Sequence, residues 1–338
     1  MTIASAPLLE LIRVSKHYAL RSGIFAKLSQ RQKVLRAVED VSLCVNRGEV
    51  LGLVGESGSG KSTVAQVAVR LTNVSTGQVR YCGQDFTHKS GAELKWFREK
   101  VQVVFQDTTS SLNPRKTVAR TLQDSLAMRE VNKANRVDRS QDLLRMVGLD
   151  GSALSRYPHQ LSGGQRQRVA IARSLAMQPE LLIADEPVAS LDVSLQAQIV
   201  NLLLRLRAEL GLTLLFISHD LALVNAISTR IAVMYAGRIV EEGLPSEVMR
   251  QPAHPYTLAL LASVPRGLKG RGITPDVTSG AAPEPVHSEG GCAFAPRCGM
   301  AKPLCREREP VAASLSTTHR SACHFALDVR GTLRMGAP

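Results

Sequence analysis

Long hydrophobic runs are missing from the 338 residues: no stretch approaches the roughly 18–20 consecutive apolar residues that a bilayer crossing requires. The richest segment, Leu212–Ile227, is broken by Ser218, His219 and Asp220 and reads as a strand followed by a turn. A basic start followed by an apolar segment is also missing at the N-terminus, so no secretory signal is expected and the chain is expected to stay in the cytosol. Aromatics are few, at 4% with one Trp, yet the apolar fraction of 44% is ordinary for a globular protein. The length suffices for one large domain with an appendage, or for two domains. Acidic residues are the minority, 29 against 42 Lys and Arg, leaving a net charge of +13. That excess favours nucleic acid or an anionic lipid surface as a partner, or reflects a solvated basic face, and does not choose among them. Of six cysteines, Cys44 and Cys82 lie alone in apolar, strand-like contexts and read as packing residues.

Leu8–Tyr18 alternates apolar and polar residues as an edge strand would, and a basic, polar insertion follows at Arg21–Lys33. Val34–Asn46 returns to a strand pattern, and Val50–Val54 is a short buried strand running straight into a Gly/Ser loop. Helical pattern follows at Thr63–Leu71, then a strand at Val101–Phe105, a turn-rich segment Asp107–Lys116, and a charged, Gly-poor helical stretch from Thr117 to Tyr157. Helices over Gln165–Met177 and Ser194–Leu210 alternate with strands Leu181–Ala184 and Thr213–Ile217. Strands alternating with helices imply a mainly parallel α/β sheet with helices on both faces. Pro265–Gly291 has the Pro, Gly, Ser and Thr content of a linker, and the tail beyond it, which holds the other four cysteines, is too small for much of a core and needs another staple.

Gly55-Glu56-Ser57-Gly58-Ser59-Gly60-Lys61-Ser62-Thr63 fits G-x-x-x-x-G-K-[ST], with a strand before and a helix after it. Its glycines let successive amide N–H groups turn inward onto phosphate oxygens, and the following helix aims its positive end at the same place. Lys61 is expected to reach the outer phosphates of ATP, and the Ser62 hydroxyl to help hold Mg²⁺. Leu181-Leu-Ile-Ala-Asp185-Glu186 places two carboxylates at the end of a buried strand, on the rim where open parallel sheets bind ligands. Asp185 suits the Mg²⁺ shell, and Glu186, facing differently, suits a general base that polarises the attacking water.

Leu161-Ser162-Gly163-Gly164-Gln165-Arg166-Gln167-Arg168 resembles the signature motif of ATP-binding-cassette (ABC) ATPases. That resemblance, over roughly residues 8–264, implies the P-loop ABC cassette fold with antiparallel edge strands and a helical insertion at about 107–165. It implies further roles by position. Tyr18 resembles the adenine-stacking aromatic, and Gln106 the Q-loop residue that touches Mg²⁺ and the attacking water. Ser190-Leu191-Asp192 resembles the D-loop, and His219 the switch histidine at the γ-phosphate. In that family the signature of one subunit, here Ser162, Gly163, Gly164 and Gln165, closes over the phosphate loop of another, so ATP joins two chains.

Ser111-Leu-Asn-Pro114-Arg115-Lys116, His254-Pro-Tyr-Thr-Leu-Ala-Leu-Leu261 and Gly291-Cys292-Ala-Phe-Ala-Pro-Arg-Cys298 resemble the ATPase subunits of dipeptide/oligopeptide importers, a group that includes nickel importers. The resemblance implies a peripheral subunit on the cytoplasmic face of the inner membrane. Its partners would be a paralogous ATPase, two integral-membrane permeases and an extracytoplasmic solute-binding protein, with no nucleic acid. A soluble cassette ATPase acting on nucleic acid or ribosomes is the alternative; such relatives usually carry two cassettes, whereas this chain has one phosphate loop and one signature. Nickel and glutathione stand beside peptides as solutes. The tail, 292–330, carries Cys292, Cys298, Cys305 and Cys323 at C-x5-C-x6-C-x17-C, not a standard zinc-finger spacing. By resemblance the four imply a [4Fe-4S] cluster; zinc and unligated thiols are the other readings, and His319 and His324, which could substitute in a zinc site, read as solvated loop residues.

Overall fold

The computed structural model describes residues 6–19, 34–107, 111–189, 191–263 and 290–332. The insertion at Arg21–Lys33, nearly all of the linker and Ser190 lie outside the described residues. Along the chain run β1 (Leu9–Ala19), β2 (Val34–Val45), β3 (Val50–Val54), α1 (Lys61–Ala68), β4 (Thr76–Tyr81), β5 (Gln84–Asp85), α2 (Gly91–Lys100) and β6 (Val101–Val104). Next come α3 (Val118–Met128), α4 (Arg136–Met146), α5 (Gly163–Leu175), β7 (Leu181–Asp185), α6 (Val193–Leu210), β8 (Thr213–Ser218) and α7 (Leu221–Ile227). The chain continues through β9 (Arg230–Tyr235), β10 (Arg238–Gly243), α8 (Pro245–Arg250), α9 (Pro255–Ser263), α10 (Pro303–Glu307), β11 (Ala313–Ser314), β12 (Arg320–Ser321) and α11 (Ala326–Thr332). These elements fall into two compact units, one from Met1–Cys44, Leu51–His88 and Ser218–Pro338, the other from Val45–Val50 and Lys89–Ile217.

In the first unit an antiparallel sheet has the order β2-β1-β4-β5. The alternation in β1 predicts an edge strand, but β1 lies between β2 and β4; Leu9, Leu11 and Val14 are buried on its core face while its backbone is paired on both sides. Its register slips between Ile12 and Ser15, where Arg13 takes a left-handed φ of 48°, and Gly77 accommodates that bulge: a Cβ there would lie 2.3 Å from the Arg13 carbonyl oxygen. Cys82 also departs from its reading as a packing residue, being exposed at φ 48° in the turn between β4 and β5. Strand β3 pairs parallel with β9, and β9 turns back into β10 through Ala236-Gly237 at φ 46° and 80°, the left-handed pair a two-residue hairpin requires.

The C-terminal tail is not a compact unit of its own. It extends the same unit by pairing β12 antiparallel with β10 and β11 with β12. Phe294 is buried against Tyr235 and Tyr256, with ring centroids 5.2 and 5.5 Å away. Burial of such a ring contributes about 1.5–3 kcal/mol. Beneath it the Glu241 carboxylate accepts from the backbone N–H groups of Ala253 (2.8 Å) and His254 (3.0 Å), and lies 2.7 Å from His319 Nε2. His319 is therefore fully buried rather than solvated, because a buried carboxylate needs its donors. Glu242 pairs with both Arg230 and Arg320.

In the second unit β6, β7 and β8 run parallel, with Val104 beside Ala184 and Asp185 beside Ile217. Every residue of β7 and β8 is buried, which explains their unbroken apolar runs. The helices are capped locally: Thr117 starts α3, Asp192 starts α6, and Gly211 at φ 67° ends α6. Arg207 holds the turn before β3 through two bonds to the Gly48 carbonyl, at 3.0 and 2.6 Å. No helix among the described residues is long and apolar enough to cross a membrane.

Burial holds the His254 imidazole down to about 3, and its Nδ1 accepts from the Tyr256 N–H at 3.1 Å, which requires a lone pair there. The native state thus keeps His254 neutral while the unfolded chain takes up a proton below 6.5, so stability is complete above 6.5 and drains away as pH falls toward 3. Urea titrations at pH 7.5 and 5.5 should show that this residue alone contributes about 1 kcal/mol of the loss, a slope reduced by that amount in His254→Gln.

Candidate active site

The phosphate-loop sequence folds as a tight curl because two of its glycines sit where a side chain cannot. Gly60 has φ 105°, and a Cβ on it would lie 2.2 Å from the Ala37 carbonyl oxygen; at Gly55 a Cβ would lie 2.1 Å from the Met234 carbonyl oxygen. Gly58, at φ 80°, faces open space. The curl is pinned by Ser59 N–H to the Glu56 carbonyl (3.2 Å), by Gly237 N–H to the Ser59 carbonyl (2.8 Å) and by Glu56 N–H to the Tyr256 hydroxyl (2.8 Å).

What the loop presents suits a polyphosphate. Helix α1 starts on Gly60 with no side-chain cap and no acidic residue in its first turn, leaving the positive end of its dipole to an anion. Lys61 is buried, and its ammonium donates to the carbonyl oxygens of Gly55 (2.8 Å) and Glu56 (2.9 Å), the two atoms that position it at the mouth of the loop. Ser59 Oγ is buried with no hydrogen-bond partner among the described residues, a group awaiting one. Ser57 and Ser62 are exposed and Thr63 half-buried. Tyr18, also half-buried, has the Lys16 ammonium 4.9 Å from its ring centroid.

The remaining candidates stand on the carboxyl ends of the parallel strands. Asp185 ends β7 and is buried; Glu186 follows with φ 47°, an uncommon conformation for a residue with a Cβ, held by its N–H to the Ile217 carbonyl at 3.0 Å. Asp185 thus ends the strand buried, and Glu186 is half-buried just past the kink. In the second unit Gln106 is exposed just past β6, on the rim that also carries Asp185 and Glu186. His219, which falls in the first unit, is exposed directly after β8.

Ser162 is the N-cap of α5. Its Oγ accepts from Gln165 N–H at 3.2 Å, and Gln165 Oε1 accepts from Ser162 N–H at 3.0 Å, a reciprocal capping box. The cap leaves Ser162 exposed at the positive end of the helix. Gly163 and Gly164 pack beneath it; a Cβ on either would crowd Leu191 or Leu195 at 3.2 and 3.3 Å. Asp192 caps α6 by accepting from Leu195 N–H at 2.9 Å, a structural use that sequence reasoning did not assign.

Cys292, Cys298, Cys305 and Cys323 line one cavity with Phe294 and His324. Burial pushes the thiols of Cys292 and Cys298 up, and that of Cys323 up to about 12, with the neighbouring cysteines adding to each rise. None of the six cysteines forms a disulfide. Among the described residues no group of three or more His, Cys, Asp or Glu side chains is placed to hold a metal ion. Sequence reasoning missed a further partner of the phosphate loop, Arg297, which forms two bonds to Glu56; no motif spacing links residues so far apart.

This geometry agrees with comparison to known proteins. The ABC transporter family profile matches residues 38–189, and the profile of the oligopeptide/dipeptide transporter C-terminal region matches residues 240–305. The oligopeptide transport ATP-binding protein AppF of Bacillus subtilis is 44% identical over 94% of this chain and 97% of its own. A probable peptide ABC transporter ATP-binding protein of Sinorhizobium fredii is 45% identical over 95% and 90%. Among solved structures, a dimeric post-hydrolysis state of the ATP-binding cassette MJ0796 bound to ADP and Pi superposes with a TM-score of 0.62 at 29% identity, covering 70% of this chain and 98% of that one. The fold and site thus define a P-loop cassette ATPase. The chain belongs to the ABC transporter ATP-binding family, and its tail is similar to that of the oligopeptide/dipeptide branch.

The two loop glycines differ in what surrounds them. Gly60→Ala meets backbone at 2.2 Å and should cost more than about 3 kcal/mol and abolish ATP binding, whereas Gly58→Ala meets open space and should cost about 1 kcal/mol for its φ alone. Thermal denaturation with nucleotide titration checks both; equal losses would contradict the geometry.

Proposed function

We propose that this ATPase powers peptide import, paired with a paralogous ATPase beneath two integral-membrane permeases that receive solute from an extracytoplasmic binding protein. It would sit at the cytoplasmic face of the inner membrane. The observation that carries this reading is likeness through the tail as well as the cassette: relatives named as ATP-binding proteins of oligopeptide transport and of a peptide ABC transporter match nearly the whole chain. Residues 8–264 form the ATPase domain, with a helical subdomain at about 107–165, a linker at 265–291 and the Cys-containing region at 292–330.

The roles of Lys61, Ser62, Asp185 and Glu186 follow from local chemistry, and those of Tyr18, Gln106, His219, Asp192 and the Ser162–Gln165 signature from the family resemblance. Tyr18 stacks on adenine. The backbone of Gly55–Gly60 and the start of α1 take the phosphates, and Lys61 exchanges the Gly55 and Glu56 carbonyls for the outer phosphate oxygens. Ser62, Gln106 and Asp185 would hold Mg²⁺, a hard cation suited to oxygen donors. Glu186 polarises the attacking water and His219 meets the γ-phosphate. The exposed cap at Ser162, with Gly163, Gly164, Gln165 and the adjoining Asp192 turn, closes over the partner's nucleotide. Replacing Glu186 by Gln removes the base and keeps the shape; hydrolysis should fall by about 10²–10⁴ while ATP still binds and holds the paired subunits together. Reconstituted uptake and sedimentation measure the two effects, and a Glu186→Gln variant that transports normally would displace Glu186 as the base.

The tail cysteines match a [4Fe-4S] cluster in kind and number, and all four residues line one cavity, although their side chains as placed do not gather around one metal position. Bound there, the group would supply a staple across Cys292, Cys298, Cys305 and Cys323. Anaerobic purification should give a coloured protein with iron and sulfide in stoichiometric amounts; a colourless protein with stoichiometric zinc would overturn the assignment.

A further inference from the structure

Glu56 is out of place on electrostatic grounds. A carboxylate in the second position of a loop that takes a polyanion repels its ligand unless something neutralises it. Arg297, 241 residues further along the chain, does so. Its Nη1 donates to Glu56 Oε2 at 2.8 Å and its Nη2 to Oε1 at 3.1 Å, a bidentate pair whose side chains are 13% and 34% exposed. The guanidinium is held in turn by aromatic faces, with its carbon 5.7 Å from the Tyr235 centroid and 5.8 Å from that of Phe294. The same residue is fixed through its backbone, since Glu56 N–H donates to Tyr256 and the Glu56 carbonyl accepts from Lys61. Three parts of one unit therefore meet at Glu56: the phosphate loop, helix α9 and the Cys-containing tail.

We propose that Arg297 is a positioning residue for nucleotide binding, a cation supplied by the tail that neutralises and aims the Glu56 carboxylate so that the phosphate loop accepts ATP. The proposal rests on the reading of Gly55–Thr63 as the ATP loop. It separates from a role as a mere anchor because the tail has other anchors: the His319–Glu241 and Arg320–Glu242 pairs and the Ala322 N–H bond to the Val240 carbonyl at 2.8 Å. Losing Arg297 leaves those in place.

Equilibrium binding of ATP–Mg²⁺ to the full-length chain tests this with three variants beside wild type. Arg297→Gln should raise the Kd roughly three- to tenfold, by less at high salt, because an unpaired carboxylate then faces the phosphates. The double variant Arg297→Gln/Glu56→Gln should return to within about twofold of wild type, since the repulsive charge is gone. Glu56→Gln alone, which keeps the tail's cation, should bind ATP more tightly than wild type, and it keeps the test decisive should Arg297→Gln fold poorly. A double variant as weak as Arg297→Gln, or a Glu56→Gln chain that binds more weakly than wild type, would overturn the proposal. Wild-type protein that binds no ATP would instead sink the reading of the loop itself.

Discussion

The left-handed turn at Gly60 is the constraint on which the nucleotide chemistry depends. It brings the loop backbone against the Ala37 carbonyl, where no side chain fits, and starts α1 without a cap. An uncapped helix start is a cost in an isolated chain, because its N–H groups lack partners. Here it creates a place where negative charge is favourable, and the buried Lys61 adds a full positive charge beside it. The loop is thus shaped before any ligand arrives, which reduces what ATP must reorganise on binding.

Around that loop the first unit is built from contacts distant in sequence. Met234 and Gly237, from the β9–β10 hairpin, set the approach to Gly55 and the bond to Ser59; Tyr256 holds the Glu56 amide, and Arg297 holds its carboxylate. The tail is thereby part of the nucleotide-binding unit rather than an independent module. Its own core is small, and its stability comes from strand pairing with β10, from Phe294 packed on two tyrosines, and from the buried Glu241 network. In the second unit the logic is more local: a buried strand ends in Asp185 and Glu186, and a capping box points Ser162 outward.

Local features were the ones legible in the sequence. The strand at Val50–Val54 and the helices near Gln165–Met177 and Ser194–Leu210 follow from apolar runs and caps within a single element, and the structure places them within two residues or so. The ATPase family was legible because the phosphate loop and the signature are contiguous stretches whose spacing carries the chemistry. Non-local features were not. The alternation of β1 is the same whether a strand is interior or at an edge, since only its faces and not its flanks leave a trace in side-chain pattern. His319 looked solvated because nothing nearby in sequence announces Glu241, and Cys82 looked buried because its neighbours are apolar while the turn that exposes it depends on pairing of β4 with β5. The Arg297–Glu56 pair is the extreme case.

Equilibrium titration of the full-length chain with ATP–Mg²⁺, wild type beside Lys61→Ala, tests the central claim most directly. One nucleotide should bind per wild-type chain, and removal of the Lys61 ammonium should weaken binding at least about a hundredfold, because a buried charge that meets phosphate is lost. Equal affinity in the two proteins would place the nucleotide elsewhere and contradict the account.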